Sequence, residues 1–182
     1  MDILKIFGDF FAANKPAQVE QSVETTPQEV AKPDYYERLK MAESGGQAEV
    51  KSKSSSATGH HQFIEGTWQS LTTKYKKPYT LEDRKDPTKS LEIAKLYTEE
   101  NKSSLQKVLK REPTDTELYT AHFLGTTGAK KFLMASPFDK VSKVVNKDQV
   151  SRNKSIFFDK TTGRERTVSE VFGVLKKKIG EE

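Results

Sequence analysis

Glu43 is the side chain in this sequence best placed for acid–base chemistry. It stands in Met41-Ala42-Glu43-Ser44-Gly45-Gly46, shortly before Ser54-Ser55-Ser56-Ala57-Thr58-Gly59-His60-His61-Gln62-Phe63. Pro33 stops any earlier helix, Asp34 can cap a new one, and Glu37 stands three residues on as a capping-box partner. A helix running from there to about Glu43 puts Tyr36, Leu39 or Lys40, and Glu43 on one face. The acid then lies in line with apolar residues at the last turn, and Gly45-Gly46 end the helix. A carboxyl beside apolar surface resists ionisation, because desolvation penalises the charged form. Such a group can protonate a leaving group near neutral pH. The plainer reading is a Glu at the solvated end of a helix.

Other reactive side chains are few. Cysteine is absent, which removes disulfides, thiol catalysis and Cys-based zinc sites. The adjacent pair His60-His61 suggests a pH-sensitive wall. A metal site is not expected, since adjacent residues rarely converge on one ion and His122 is the one other imidazole. No cofactor is implied. Glu49, Glu65 and Glu82 are the candidates for a second carboxylate. Glu65 opens a helix, where an acid suits the dipole in any case.

The elements that must position these groups read as helix after helix. Ile64, Trp68, Leu71 and Tyr75 mark an amphipathic helix with Trp68 in the core. Lys76 to Asp86 is a basic loop, and Asp86-Pro87 starts a long helix with the cap just before proline. Leu91, Ala94, Tyr97, Asn101, Leu105 and Val108 mark its inner face, with Asn101 as a break or a cleft-facing amide. Thr114-x-x-Glu117 and Thr167-x-x-Glu170 are capping boxes. The first opens a helix through Tyr119 and His122 to Gly125; the second opens one with Val168, Val171, Phe172 and Leu175 inward. A further helix from Thr127-Gly128 carries Phe132 and Leu133. Ser155 to Asp159 reads as extended, then a turn at Lys160–Gly163. The run Lys176-Lys177-Lys178 suits the end of the last helix and reads first as solvated. Phe123 reads as core.

Charge is uneven. The net charge is +5, yet residues 1–34 hold three lysines against six acids and are net −3. A basic remainder seeks polyanions: nucleic acid, anionic membrane, or a cell wall. Met1 to Lys15 is Phe-rich and fits one face of a short amphipathic helix, either a docking or membrane-interface peptide or a helix packed on its own domain. Nothing basic precedes it and Asp9 interrupts it, so it makes a poor cleavable signal. Pro16 to Pro33 reads as a linker.

Taken together the motifs carry a resemblance. Glu43-Ser44-Gly45-Gly46, then Ser55-Ser56-Ala57-Thr58-Gly59 with Gln62-Phe63-Ile64 and Thr67-Trp68, then Thr114-Asp115-Thr116-Glu117-Leu118-Tyr119 through Ala121-His122-Phe123-Leu124-Gly125, resemble soluble lytic transglycosylases. These belong to the lysozyme superfamily, near goose-type lysozyme. Ser155–Lys160 and Arg166–Phe172 look like a tail of a phage or proteobacterial branch. The resemblance spans roughly Tyr35 to Leu175.

It implies a mostly α, lysozyme-like domain over 34–182 with a basic C-terminal extension, after an N-terminal amphipathic segment and linker over 1–33. The implied activity is cleavage of the bond between N-acetylmuramic acid and N-acetylglucosamine in peptidoglycan. Glu43 matches the single general acid/base, protonating the glycosidic oxygen while the substrate's own N-acetyl oxygen attacks the anomeric carbon. It then acts as base on the muramyl C6 hydroxyl, giving a 1,6-anhydro end. Ser55, Ser56, Gly59, His61, Gln62 and Phe63 fall in the segment that lines the glycan cleft. His60-His61 departs from the usual apolar or aromatic pair, and His122-Phe123 stands where the wider family has Tyr-Asn. Tyr119 or His122 can then support the acid or the substrate. The expected partner is the glycan strand, with residues 1–15 docking on a membrane or virion protein, no nucleic acid, and a monomeric state. The expected place is a phage virion or the host periplasm and wall. The alternatives are a hydrolytic muramidase, and an inactive basic structural or nucleic-acid-binding phage protein.

Overall fold

Local signals start and stop the helices much as their chemistry requires. In the computed structural model, which describes residues 32–181, α1 runs Tyr35–Ser44. The Asp34 carboxylate accepts from Glu37 N at 2.9 Å, and Gly45 at φ 60° ends the helix in a left-handed turn. The reciprocal half of the expected capping box does not form, because the Glu37 carboxylate pairs with Lys40 at 2.5 Å instead. The apolar segment expected over 1–15 lies outside the described residues, as does nearly all of the linker.

Between α1 and α2 (Glu65–Lys74) the chain forms a loop pinned by isolated antiparallel bridges, Lys51 to Thr58 and Thr58 to Phe63. Arg84, buried in a 3-10 turn over Glu82–Lys85, braces that loop from behind. Its guanidinium donates to Ser56 O at 2.7 Å, Phe63 O at 3.2 Å and Leu81 O at 2.8 Å. Five fixed donors suit Arg to this work, since one planar fork satisfies several carbonyls at once. Gly59, at φ 83°, packs directly on the Arg84 carbonyl.

The long α3 (Pro87–Leu109) starts at Asp86, whose carboxylate accepts from Thr88 N and Lys89 N at 2.9 and 3.0 Å. Its buried face is rotated from the apolar spacing: Ser90, Ile93, Ala94, Thr98, Asn101 and Leu105 lie inside, while Leu91, Tyr97 and Val108 are only half-buried. The polar members are inside because polar partners meet them there. Asn101 neither breaks the helix nor opens into a cleft; its amide oxygen accepts from Thr126 Oγ1 at 2.5 Å.

Helix α4 (Asp115–Leu124) is the central one, packed against α3, α5 (Thr126–Leu133) and α8 (Val168–Ile179). Both halves of its Thr114/Glu117 capping box are made, and Arg111 forks onto Glu117 at 2.6 and 2.7 Å. The main core joins Leu39 of α1, Tyr119 and Leu124 of α4, Phe132 of α5, and Val168, Val171, Leu175 and Ile179 of α8. A second cluster gathers Phe63, Trp68, Leu71, Ile93 and Ala94. Ser155–Asp159 differs from the expected extended piece: α6 (Lys147–Arg152) is followed by a single turn, α7 (Lys154–Phe157), and extension begins only at Phe158, bridged to Glu165. Burying Phe157 in the main core favours the helical turn there. The architecture is mostly α, with β structure among the described residues limited to isolated bridges. No described helix is long and apolar enough to cross a membrane.

Candidate active site

Glu43 projects from the last turn of α1 onto the wall of an open furrow of about 490 Å³. The loop after α1 supplies one side through Ser52, Ser54, Ser55 and Gln62. Phe63, Tyr97 of α3 and His122 of α4 also line the furrow. Asn146, Asp148, Gln149 and Arg152, at and within α6, add a further side. A shallower groove shares Ile64, Thr67 and Tyr97 with the furrow and extends past Ser70 and Glu100.

The carboxyl itself is half-buried, and its Oε1 is buried without a hydrogen-bond partner among the described residues. Tyr119 is packed against it, fully buried. Burial pushes the Tyr119 phenol far up, and the charge and hydrogen bonding of Glu43 push it further, so the hydroxyl keeps its proton and can donate. Tyr35, earlier on α1, is raised by burial first, with Asp115 and, more weakly, Glu43 adding to it. On its other side the Tyr119 oxygen accepts from Lys178 Nζ at 3.0 Å, and the same ammonium donates to Ala42 O at 2.6 Å.

Of the residues that sequence placed in the cleft, Glu43, Ser55, Gln62, Phe63 and His122 line the furrow, and Ser56, Gly59, His61 and Tyr119 do not. Ser56 is exposed, with its Oγ accepting from Glu65 N at 3.1 Å at the start of α2, where it serves the helix end. Gly59 is buried, and its missing side chain admits the Arg84 carbonyl rather than a sugar. His61 is 2% exposed, with Nδ1 at 2.9 Å from Ser90 Oγ. Burial first, then the neighbouring His122, His60 and Lys40, lower it to about 3, so it stays neutral and forms no titrating wall near neutral pH. Tyr119 stands behind the acid. Gln62, held at φ 46°, gives its amide hydrogens to Val50 O and Gly59 O at 3.0 and 2.8 Å, leaving its amide oxygen for other donors. His122 Nε2 lies 2.9 Å from His61 O. A carbonyl can only accept, so Nε2 carries a proton, while Nδ1 is buried without a hydrogen-bond partner among the described residues. Phe123, read as core, both packs on Phe157 at 5.9 Å and lines the furrow.

The second carboxylate on the furrow is Asp148, which sequence reading did not single out. Glu49, Glu65 and Glu82 do not line it. Asp148 carried no sequence signal beyond an acid in the first turn of a short helix. Lys178 was hidden in a lysine run, and Tyr97 in an apolar spacing. Among the described residues no three of His, Asp and Glu gather to hold a metal ion.

A helical shell around a furrow with one half-buried carboxyl defines a lysozyme-like domain. The model of the transglycosylase SLT domain family matches residues 24–121, more than half of the chain, and the chain belongs to that family. It is an enzyme of the peptidoglycan lytic transglycosylase type. Helices α5 to α8 lie beyond the matched segment, yet they supply Asp148, Arg152 and Lys178 to the site and its surroundings.

Proposed function

We propose that the chain cleaves the β-1,4 bond between N-acetylmuramic acid and N-acetylglucosamine by non-hydrolytic transglycosylation, with Glu43 as the single general acid/base. One observation carries this reading: a buried carboxyl oxygen without a partner, on the wall of a furrow open enough for saccharide. Glu43 gives its proton to the departing glycosidic oxygen as the substrate's N-acetyl oxygen attacks the anomeric carbon. The carboxylate then takes the proton of the muramyl C6 hydroxyl, which closes the 1,6-anhydro ring. Tyr119 holds the carboxyl from behind. Ser55, the Gln62 amide oxygen and His122 Nδ1 are polar groups for hydroxyl and acetamido recognition, and Phe63 offers an apolar face. The adjoining groove suits a polymer that extends past the cleaved bond. The setting is phage wall degradation, in the virion or in the host periplasm and wall.

Asp148 favours a second reading, a hydrolytic muramidase in which that carboxylate serves water. It is exposed and stands where an acid complements the α6 dipole, which argues for a structural role.

Mass spectrometry of digested peptidoglycan separates the two. Anhydro-muropeptides are expected, produced by Asp148→Asn within about threefold of wild type, while Glu43→Gln loses about 100-fold or more. Ordinary reducing ends that vanish in Asp148→Asn establish the muramidase instead. Equal clearing of wall by Glu43→Gln and wild type overturns the site, and a wild type that binds wall without cutting it overturns the enzyme.

A further inference from the structure

Helix α1 has no basic residue in its last turn, where the unpaired carbonyls gather partial negative charge. The missing cation comes from α8. Lys178 Nζ donates to Ala42 O, the carbonyl just before Glu43, at 2.6 Å. The same ammonium donates to the Tyr119 hydroxyl at 3.0 Å and lies 5.7 Å from that ring's centroid. Lys178 is thus the exception in a run read as solvated: the residue is exposed, yet its ammonium bonds to Ala42 O and to the hydroxyl of buried Tyr119.

The direction of these bonds matters. An ammonium has three donors and no acceptor, so the Tyr119 oxygen must accept from it. The phenol's single proton is then left to point at another acceptor, and the one packed against it is Glu43. We propose that Lys178 is a positioning residue for the chemistry at Glu43: it fixes Tyr119 as donor to that carboxylate and ties down the helix end that carries it. This rests on the acid/base role proposed for Glu43. Tyr35 on α1 and Tyr119 on α4 interact with that carboxyl, Tyr97 on α3, His122 on α4, and Asp148 and Arg152 on α6 line the same furrow, and Lys178 on α8 bonds to Tyr119. Lys178 is the cation whose hydrogen bond reaches Glu43 through one intervening hydroxyl. A cation and an oriented donor both favour the ionised carboxylate.

The test compares pH–rate profiles of the full chain on solubilised glycan strands. Lys178→Met is expected to lower kcat about tenfold at the optimum with KM little changed, and to move the alkaline limb up by about one pH unit. Lys178→Arg is expected to restore the limb. Lys177→Met, which removes the same charge from the exposed neighbour, is expected to match wild type, separating this effect from general attraction to an anionic wall. In a Tyr119→Phe background, Lys178→Met is expected to cost clearly less than it does alone, because the part of its action that runs through the hydroxyl is already gone and only the bond to Ala42 O remains to lose. Should methionine prevent folding, Lys178→Gln keeps a donor without the charge and is expected to shift the limb in the same direction by a smaller amount. A profile for Lys178→Met or Lys178→Gln that superimposes on wild type, or losses that multiply in the double variant, overturns the proposal. An active Glu43→Gln overturns the acid/base reading beneath it, a result distinct from an unchanged Lys178 profile in a protein that Glu43→Gln inactivates.

Discussion

At the scale of single residues, His61 shows how burial changes what a side chain can do. Two adjacent histidines in a cleft segment invite a pH-sensitive wall, and position along the sequence agrees. The imidazole instead enters the protein and meets Ser90. With its value held at about 3, the unfolded chain takes the proton first as pH falls. His61 therefore leaves stability untouched above about pH 6.5 and removes it progressively between there and about pH 3. At pH 5 the loss is about 2 kcal/mol, measured as the change in urea unfolding free energy from pH 7. His61→Asn is expected to flatten that dependence while lowering stability at pH 7. Glu43 was legible as a site candidate because the acid, the helix and the terminating glycines adjoin in sequence. What stands behind it was not: Tyr119 offered a choice of roles until α4 packed against α1.

Among the elements, the helix ends were the readable part. A capping box is written within four residues, so Thr114/Glu117 and Thr167/Glu170 needed no tertiary information. The inner face of α3 was legible in part: Ala94, Asn101 and Leu105 are buried as expected, whereas Ser90 and Thr98 break an apolar pattern and their burial depends on partners far away in sequence. The loop over Ser52–Ile64 shows the same dependence. Gly59 falls in the segment that the resemblance places along the glycan cleft, whereas its neighbour is the Arg84 backbone. Gly59→Ala would add a Cβ in collision with that carbonyl at a positive φ, so it is expected to cost at least about 2 kcal/mol. Thermal unfolding checks the loss. Activity assayed well below the new midpoint is expected to fall as well, since the same loop carries Ser55 and Gln62 to the furrow.

For the molecule as a whole, the family segment holds the smaller Phe63–Trp68 cluster but does not complete the main core. Leu39 and Tyr119 lie within residues 24–121, but Leu175, Val171 and Ile179 close the main cluster from α8. Leu175→Ala is expected to destabilise by about 3 kcal/mol, a fall of roughly 10 °C in Tm by calorimetry. Activity is expected to melt with the fold, because α8 both completes the core and delivers Lys178. By itself the sequence determined what neighbours in the chain can settle: helix starts and stops, a mostly helical shell, and the placing of an acid at a helix end. It also determined the family, through the order and spacing of short motifs. The tertiary structure decided which side chains face the furrow, that His61 and Gly59 serve the interior, and that a lysine 136 residues beyond Ala42 returns to the acid's helix. The reason is physical. Capping and periodicity act over a few residues along the backbone, whereas burial and the direction of a hydrogen bond are set by atoms that only folding brings together.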